Sequence, residues 1–291
     1  MNALVQVLLL GIALGGVYAL MASGLTLIFG VMRIVNIAHA AFMMISAYIT
    51  FWAFTVYQVD PIVSLLFTMP IMFGLGVVIY RVFFASIAGS EKLGELSVLL
   101  TFSLALILEG VLGYLFTNTY RSTNPDYAIK AILFGPFFIP ASQLYATVLS
   151  LLLLVVFWIF LRYSRTGNAI RATTQNRESA RIVGVDVERI SMIVFGLGTA
   201  LAGASGSLMT FLFSFYPGKH WEWIAILLSL IVLGGMGSMF GALIGAFLLA
   251  IASSYVSFYF GPNWSPITFF LALFLILLIR PQGLLGKKME A

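Results

Sequence analysis

Apolar runs of about twenty residues follow one another along this 291-residue chain, and nothing else in the sequence limits its fold so tightly. A run of that length, wound as an α-helix rising ~1.5 Å per residue, matches the ~30 Å hydrocarbon core of a bilayer. Lipid offers no partner to backbone N–H and C=O groups, so a spanning segment is either a helix or a strand of a closed barrel. A barrel needs strands of about ten residues that alternate apolar and polar, whereas these runs are continuous. The expected fold is therefore all-α and polytopic, a single domain over 1–291 with about eight to nine transmembrane helices, some of them broken by glycine. With 62% hydrophobic and 9% charged residues, a soluble fold is excluded. The chain has no cysteine, which removes thiol nucleophiles, cysteine-held clusters and disulfides. The first twenty residues hold no Lys or Arg, so they lack the charged start of a secretory signal and read as a first span that stays.

Taken in order, residues 3–22 form the first span, with Gly11 and Gly15 spaced for close helix contact. Ser23-Gly24 interrupts the run, and residues 25–29 make an apolar piece too short to cross alone before Gly30-Val31-Met32-Arg33. Asn36 and His39, three apart and next to this glycine-broken piece, fit either a discontinuous membrane helix beside a translocation path or a plain cytoplasmic turn. From there an apolar run continues through Tyr57 as the second span, and further spans follow at 61–84 and 96–116, with Arg81, Glu91, Lys92 and Glu95 marking a polar loop at and after the end of the first of these two. The second of these contains Glu109. A charge at mid-span costs ~3 kcal/mol on insertion scales, so Glu109 lies on a substrate path, is bonded to a neighbouring helix, or sits near the interface. Residues 117–142, with Pro125, Pro136 and Pro140, read as an external loop.

After a span at 144–161 and the loop that follows it, residues 190–213 carry Gly198, Ala202 and Gly206 four apart, a small-residue face for packing. The piece 224–233 is stopped by Gly234-Gly235-Met236-Gly237-Ser238, and spans at 240–260 and 266–279 close the chain. The stretch 229–252 has the same order as 26–48, apolar piece, glycine-methionine break, apolar helix, and reads as the trace of an internal repeat. Asn36, His39, Glu109, Gly234 and Gly235 are the candidate translocation-path residues.

The loop at 162–189 holds six of the fifteen Lys and Arg residues: Arg162, Arg165, Arg171, Arg177, Arg181 and Arg189. It also holds helix signals. Asn176 can cap a helix beginning at Arg177, Gly184 can end it in a left-handed conformation, and Asp186 can cap the next span. Residues 167–175 and 177–183 thus read as two short helices, with Glu178 and Arg181 spaced to pair. Such a loop either sets orientation or docks a soluble partner; the small and apolar Ala169, Ile170, Ala172 and Ala180 suit a surface that another protein covers. With nine spans and this loop inside, twelve of the fifteen Lys and Arg residues are cytoplasmic, and only Arg121, Lys130 and Lys219 are outside. The amino terminus is then outside and the carboxyl terminus inside. The net charge of +5 is explained by that orientation, not by nucleic-acid binding.

Three stretches resemble the permease subunits of bacterial ABC importers for branched-chain amino acids. They are Gly24-Leu25-Thr26-Leu27-Ile28-Phe29-Gly30-Val31-Met32-Arg33-Ile34-Val35-Asn36-Ile37-Ala38-His39, Arg171-Ala172-Thr173-Thr174-Gln175-Asn176-Arg177-Glu178-Ser179-Ala180, and Gly234-Gly235-Met236-Gly237-Ser238. The resemblance implies a transmembrane permease of the bacterial cytoplasmic (inner) membrane. It implies as partners two cytoplasmic ATPase subunits, a second permease subunit and an external substrate-binding protein, with a small amino acid as substrate. ATP and Mg would be held by the ATPases and no cofactor by this chain. The loop 162–189 becomes the ATPase-coupling element, with Gly167, Ala169, Ile170, Arg171, Ala172, Asn176, Arg177, Glu178, Ala180 and Gly184 as its residues. The family often places Gly and an acidic residue after the histidine; here Ala40-Ala41 stand there, so no carboxylate role is carried over.

The residues agree with a separate motor, because no G-x-x-x-x-G-K-[ST] phosphate loop occurs and Gly286-Lys287-Lys288 lacks its spacing and hydroxyl. The alternative is a secondary transporter or channel driven by an ion gradient. That class places several ionisable groups in mid-membrane, and only Glu109 and His39 are available. A membrane enzyme or electron-transfer subunit would have to work with two histidines and no cysteine.

Overall fold

The computed structural model describes residues 2–87, 90 and 92–285; Glu91, Gly286, Lys287 and Lys288, named above, lie outside them. The helices are α1 (Asn2–Met32), α2 (His39–Tyr57), α3 (Pro61–Ile79, continued by a π-turn at Tyr80–Phe84), α4 (Leu93–Phe116), α5 (Ala141–Tyr163), α6 (Arg165–Gln175), α7 (Arg177–Ile182), α8 (Val187–Met209), α9 (His220–Gly234), α10 (Met239–Phe260) and α11 (Ser265–Ile279). Among the described residues, eight segments are long and apolar enough to cross a membrane: α1 to α5, α8, α10, and α11 taken from Pro262. The chain is a polytopic all-α membrane protein, as the apolar runs require.

Small residues decide the packing. α8 is the central helix, 83% buried over its apolar window. A Cβ on Gly198 would press on Ile28 and the Gly24 carbonyl of α1, and one on Gly206 would run into the Met43 carbonyl of α2, so both helices approach α8 backbone to backbone. On the other side of α1, Gly11 and Gly15 lie against Ile251 and Phe247 of α10. Gly241 and Gly245 of α10 in turn meet Gly234 and Leu230 of α9. The expected close contacts at Gly11/Gly15 and Gly198/Gly206 form.

Two expectations need correction. Gly24 and Gly30 do not break the first span: α1 is one unbroken helix of 31 residues. A glycine inside a helix costs only ~1 kcal/mol relative to alanine, and both glycines are used for contact instead, Gly24 against His39 and Gly198, Gly30 against Gly237. The interruption comes later, at residues 33–38, where Arg33 turns with φ +59°. The external loop, in turn, is not irregular throughout. It contains the antiparallel hairpin β1 (Ala131–Phe134) and β2 (Phe137–Pro140), with Phe134 opposite Phe137 across a turn in which Gly135 has φ +60°.

Contacts sort the helix ends into two groups. At one end, Gly30 faces Gly237, Arg177 of α7 reaches Met32, and Leu284 N–H donates to the Leu233 carbonyl at 2.8 Å. At the other, Arg121 pairs with Phe215, Thr123 Oγ1 donates to Thr210 Oγ1 at 3.0 Å, and Tyr127 bonds Asp60, whose carboxylate also caps α3 at Ile62 N. The guanidinium of Arg121 lies 5.2 Å from the Phe51 ring centroid and 5.6 Å from that of Trp52. α9 has 15 residues, and it begins in the second group and ends in the first.

Candidate functional site

The excursion 162–189 folds as its capping residues dictate. Ser164 accepts from Gly167 N–H at 2.8 Å and starts α6; Asn176 accepts from Ser179 N–H at 2.9 Å and starts α7; Asp186 accepts from Arg189 N–H at 3.0 Å and starts α8. Gly184 ends α7 with φ +86°, a left-handed value that an L side chain adopts only at a cost of ~1–2 kcal/mol. Gly167 is tight for a different reason, since a Cβ there would enter the last turn of α5 at Phe160 and Leu161.

Orientation within this platform differs from the expectation. Ile170 and Ala180, each 2% exposed, face the bundle and hold the platform down, while Ala169 and Ala172 are half-buried. The apolar residues offered outward are Ile182 and Val183, 85% and 75% exposed at the tip of α7. Sequence reasoning missed them. Their signal was present, two β-branched apolar residues directly before a helix-ending glycine in a charged loop. Arg171 is exposed and donates to Asn168 Oδ1 at 2.7 Å. Glu178 and Arg181 form no ion pair among the described residues: both project into solvent, where two long side chains gain little by holding one geometry.

Arg177 points the other way. It is half-buried, with Nη1 donating to the Met32 carbonyl and Nη2 to Ser191 Oγ, each at 3.4 Å, so it ties α7 to the end of α1 and the start of α8. Burial lowers its pKa from the ordinary guanidinium value, yet a guanidinium remains charged at neutral pH.

The path candidates are not one cluster. Asn36 and His39 are fully buried; among the described residues neither end of the Asn36 amide has a hydrogen-bond partner, and the polar group beside the His39 ring is the Met21 carbonyl of α1. The His39 ring lies against Gly24, where a Cβ would stand 2.8 Å from Cε1. The crossover between α1 and α2 is stapled to α4 through Thr101 Oγ1, which accepts from Ile37 N–H and lies 3.2 Å from the Val35 carbonyl. Glu109 is elsewhere, towards the opposite end. Its Oε2 accepts from Trp221 Nε1 of α9 at 2.9 Å and is 4.0 Å from His220 Nε2, so it is bonded to a neighbouring helix. Gly234 and Gly235 form the turn after α9, Gly235 with φ +103° and Gly234 packed on the backbone of Gly241.

A further polar seam was not anticipated. Ser46 and Thr50 of α2, Thr68 of α3 and Ser207 of α8 meet in the buried core, Thr50 and Thr68 reaching Ser207 Oγ at 2.8 and 2.9 Å.

A bundle of apolar spans crossed by buried hydroxyl and amide groups, carrying a capped and clamped helical platform at one end, defines a multi-pass helical membrane protein. Comparison with known proteins narrows this class: residues 7–279 match the family described as branched-chain amino acid transport system, permease component, and the chain belongs to that family. It is 28% identical to the high-affinity branched-chain amino acid transport system permease protein LivH of Escherichia coli (strain K12), over 95% of this chain and 94% of that one. It is 27% identical to the corresponding protein BraD of Pseudomonas aeruginosa, over 97% and 95%. The permease protein LivM of Escherichia coli (strain K12) is 29% identical over 60% of this chain and 41% of its own length.

Proposed function

We propose that this chain is the transmembrane permease subunit of an ABC importer for branched-chain or other small amino acids. It works with two cytoplasmic ATPase subunits that hold ATP and Mg, a second permease subunit and an external substrate-binding protein. The observation that carries this reading is the platform: an apolar tip at Ile182 and Val183, fixed by three caps and Gly184, and wired inward by Arg177 to α1 and α8. An ATPase pocket that closes on the tip during its own cycle displaces α6 and α7 as one body. Arg177 passes that displacement to the ends of two helices that run the length of the bundle, and the spans exchange outward and inward access.

The platform end is cytoplasmic, with the amino terminus outside and the carboxyl terminus inside. This is supported by the concentration of arginine there and by the grouping of the helix ends. Of the path candidates, Asn36 and His39 stay in the proposal as groups that face the moving seam between α1 and α8. The support for that is the Asn36 amide, which has no partner among the described residues, and the His39 ring, which lies against Gly24 where α1 meets Gly198 of α8. Glu109 with Trp221, and the Gly234-Gly235 turn, take structural roles.

The test is uptake of radiolabelled leucine by proteoliposomes containing the chain with its candidate ATPases, partner permease and binding protein. Uptake is expected to require ATP hydrolysis and to survive an uncoupler. Transport that continues without hydrolysis and stops when the ion gradient collapses overturns the proposal in favour of a gradient-driven carrier. Arg171→Glu and Gly184→Val are expected to insert normally and to lose ATPase binding or coupling, read by co-purification and by uptake.

A further inference from the structure

A cavity of about 680 Å³ opens between α1, α9, α10, α11 and the end of α8, within the ~300–1,000 Å³ typical of small-molecule sites. None of the path candidates lines it. It belongs to the end opposite the platform, because it is walled by the first half of α1, the last turns of α10 and the starts of α9 and α11. At its rim Lys219 Nζ lies 3.3 Å from Glu222 Oε2, a partly exposed pair one helical turn apart. Deeper in, Tyr18 packs edge-on to Phe269 and Trp223 at 5.6 and 6.2 Å between centroids, and Phe213 meets Trp223 at 5.1 Å. Trp223 is 3% exposed, and its indole N–H has no hydrogen-bond partner among the described residues. Hydroxyls of Ser253 and Ser265, bonded to each other at 2.5 Å, join the lining.

One ammonium and one carboxylate side by side, above an aromatic wall, are the complement of a free amino acid with an aliphatic side chain. The Lys219–Glu222 pair is partly hydrated and holds weakly, so a zwitterion can take its place, trading one ion pair for two. We propose that this cavity is the outer receiving site for the amino acid. Lys219 binds the α-carboxylate, Glu222 the α-ammonium, and Tyr18, Phe213, Trp223 and Phe269 enclose the side chain. The assignment rests on the importer reading. From Tyr18 to Gly24, against which the His39 ring lies, is about 9 Å along α1.

The test uses the whole complex in nanodiscs without binding protein. Binding of L-leucine, isocaproate (no ammonium) and isoamylamine (no carboxylate) is measured by saturation-transfer NMR. Unaltered complex is expected to hold leucine about tenfold or more tightly than either amputated analogue. Glu222→Gln is expected to weaken leucine and isoamylamine but not isocaproate, and Lys219→Gln to weaken leucine and isocaproate but not isoamylamine. Equal affinity of the unaltered complex for the three compounds, or variants that affect all three alike, overturns the site. If the same complex, moved to proteoliposomes and supplied with ATP and binding protein, takes up no leucine, the importer reading itself fails. If it takes up leucine and the crossed pattern is missing, only the cavity is misassigned.

Discussion

Gly24 sits in the middle of α1 with the Gly198 carbonyl of α8 on one side and the His39 ring on another, at 2.5 and 2.8 Å from where a Cβ would be. Neither neighbour can retreat cheaply, because one is backbone of the most buried helix and the other belongs to a fully buried ring. Gly24→Ala should therefore destabilise the chain by about 1–3 kcal/mol through overpacking and lower its melting temperature in detergent. Gly110→Ala on α4 has nothing within 4 Å and should be neutral or slightly stabilising, since alanine is the better helix former. Equal melting temperatures for the two variants would count against the packing described for α1 and α8. Gly24 also shows why a glycine in an apolar run is ambiguous in sequence. It serves a break and a close contact equally well, and only the position of the neighbouring helix decides between them.

The limits of α7 and the start of α8 were legible, because Asn176, Gly184 and Asp186 each act within about one turn of their own position. The start of α6 was not: the helix begins at Arg165 and not at 167, because Ser164 caps it. Which face of each helix looks outward was not legible. Ile170 and Ala180 turn inward because α8 and the end of α5 lie beneath them, while Ile182 and Val183 have no such cover. The hairpin at 131–140 was missed for a related reason, since its proline-rich and aromatic sequence also suits an irregular interfacial loop. Arg177 is where the platform meets the spans, and it gives the second prediction. Arg177→Ala removes two long charge-assisted bonds and should cost roughly 1 kcal/mol of stability, little enough to leave assembly intact. It should nevertheless reduce the number of leucine molecules imported per ATP hydrolysed, because α7 would then move without carrying α1. A full transport ratio in this variant would mean that force enters the spans elsewhere.

Whether the two termini lie on the same or opposite sides of the membrane depends on α9. The eight segments long enough to cross would leave both termini on one side, and a ninth crossing separates them. α9 spans only about 22 Å by itself. The 3₁₀ turn at Pro217–Lys219 before it adds ~6 Å, and most of its residues are buried among other helices, so a short helix here exposes no backbone to lipid. Its start lies with Glu109 and the outer loop, and its end lies under Leu284 and Leu285, whose N–H groups donate to the Leu233 and Gly234 carbonyls. The absence of cysteine allows a direct check. Single cysteines replacing Asn2 and Leu133 should react with a membrane-impermeant maleimide added outside intact cells. Cysteines replacing Ile182 and Leu285 should react only after the membrane is opened. All four positions are solvent-exposed, so a failure to label reports the side and not burial. Labelling of positions 2 and 285 from the same side would reduce α9 to a segment that enters and leaves by one face, and would overturn the nine-crossing topology.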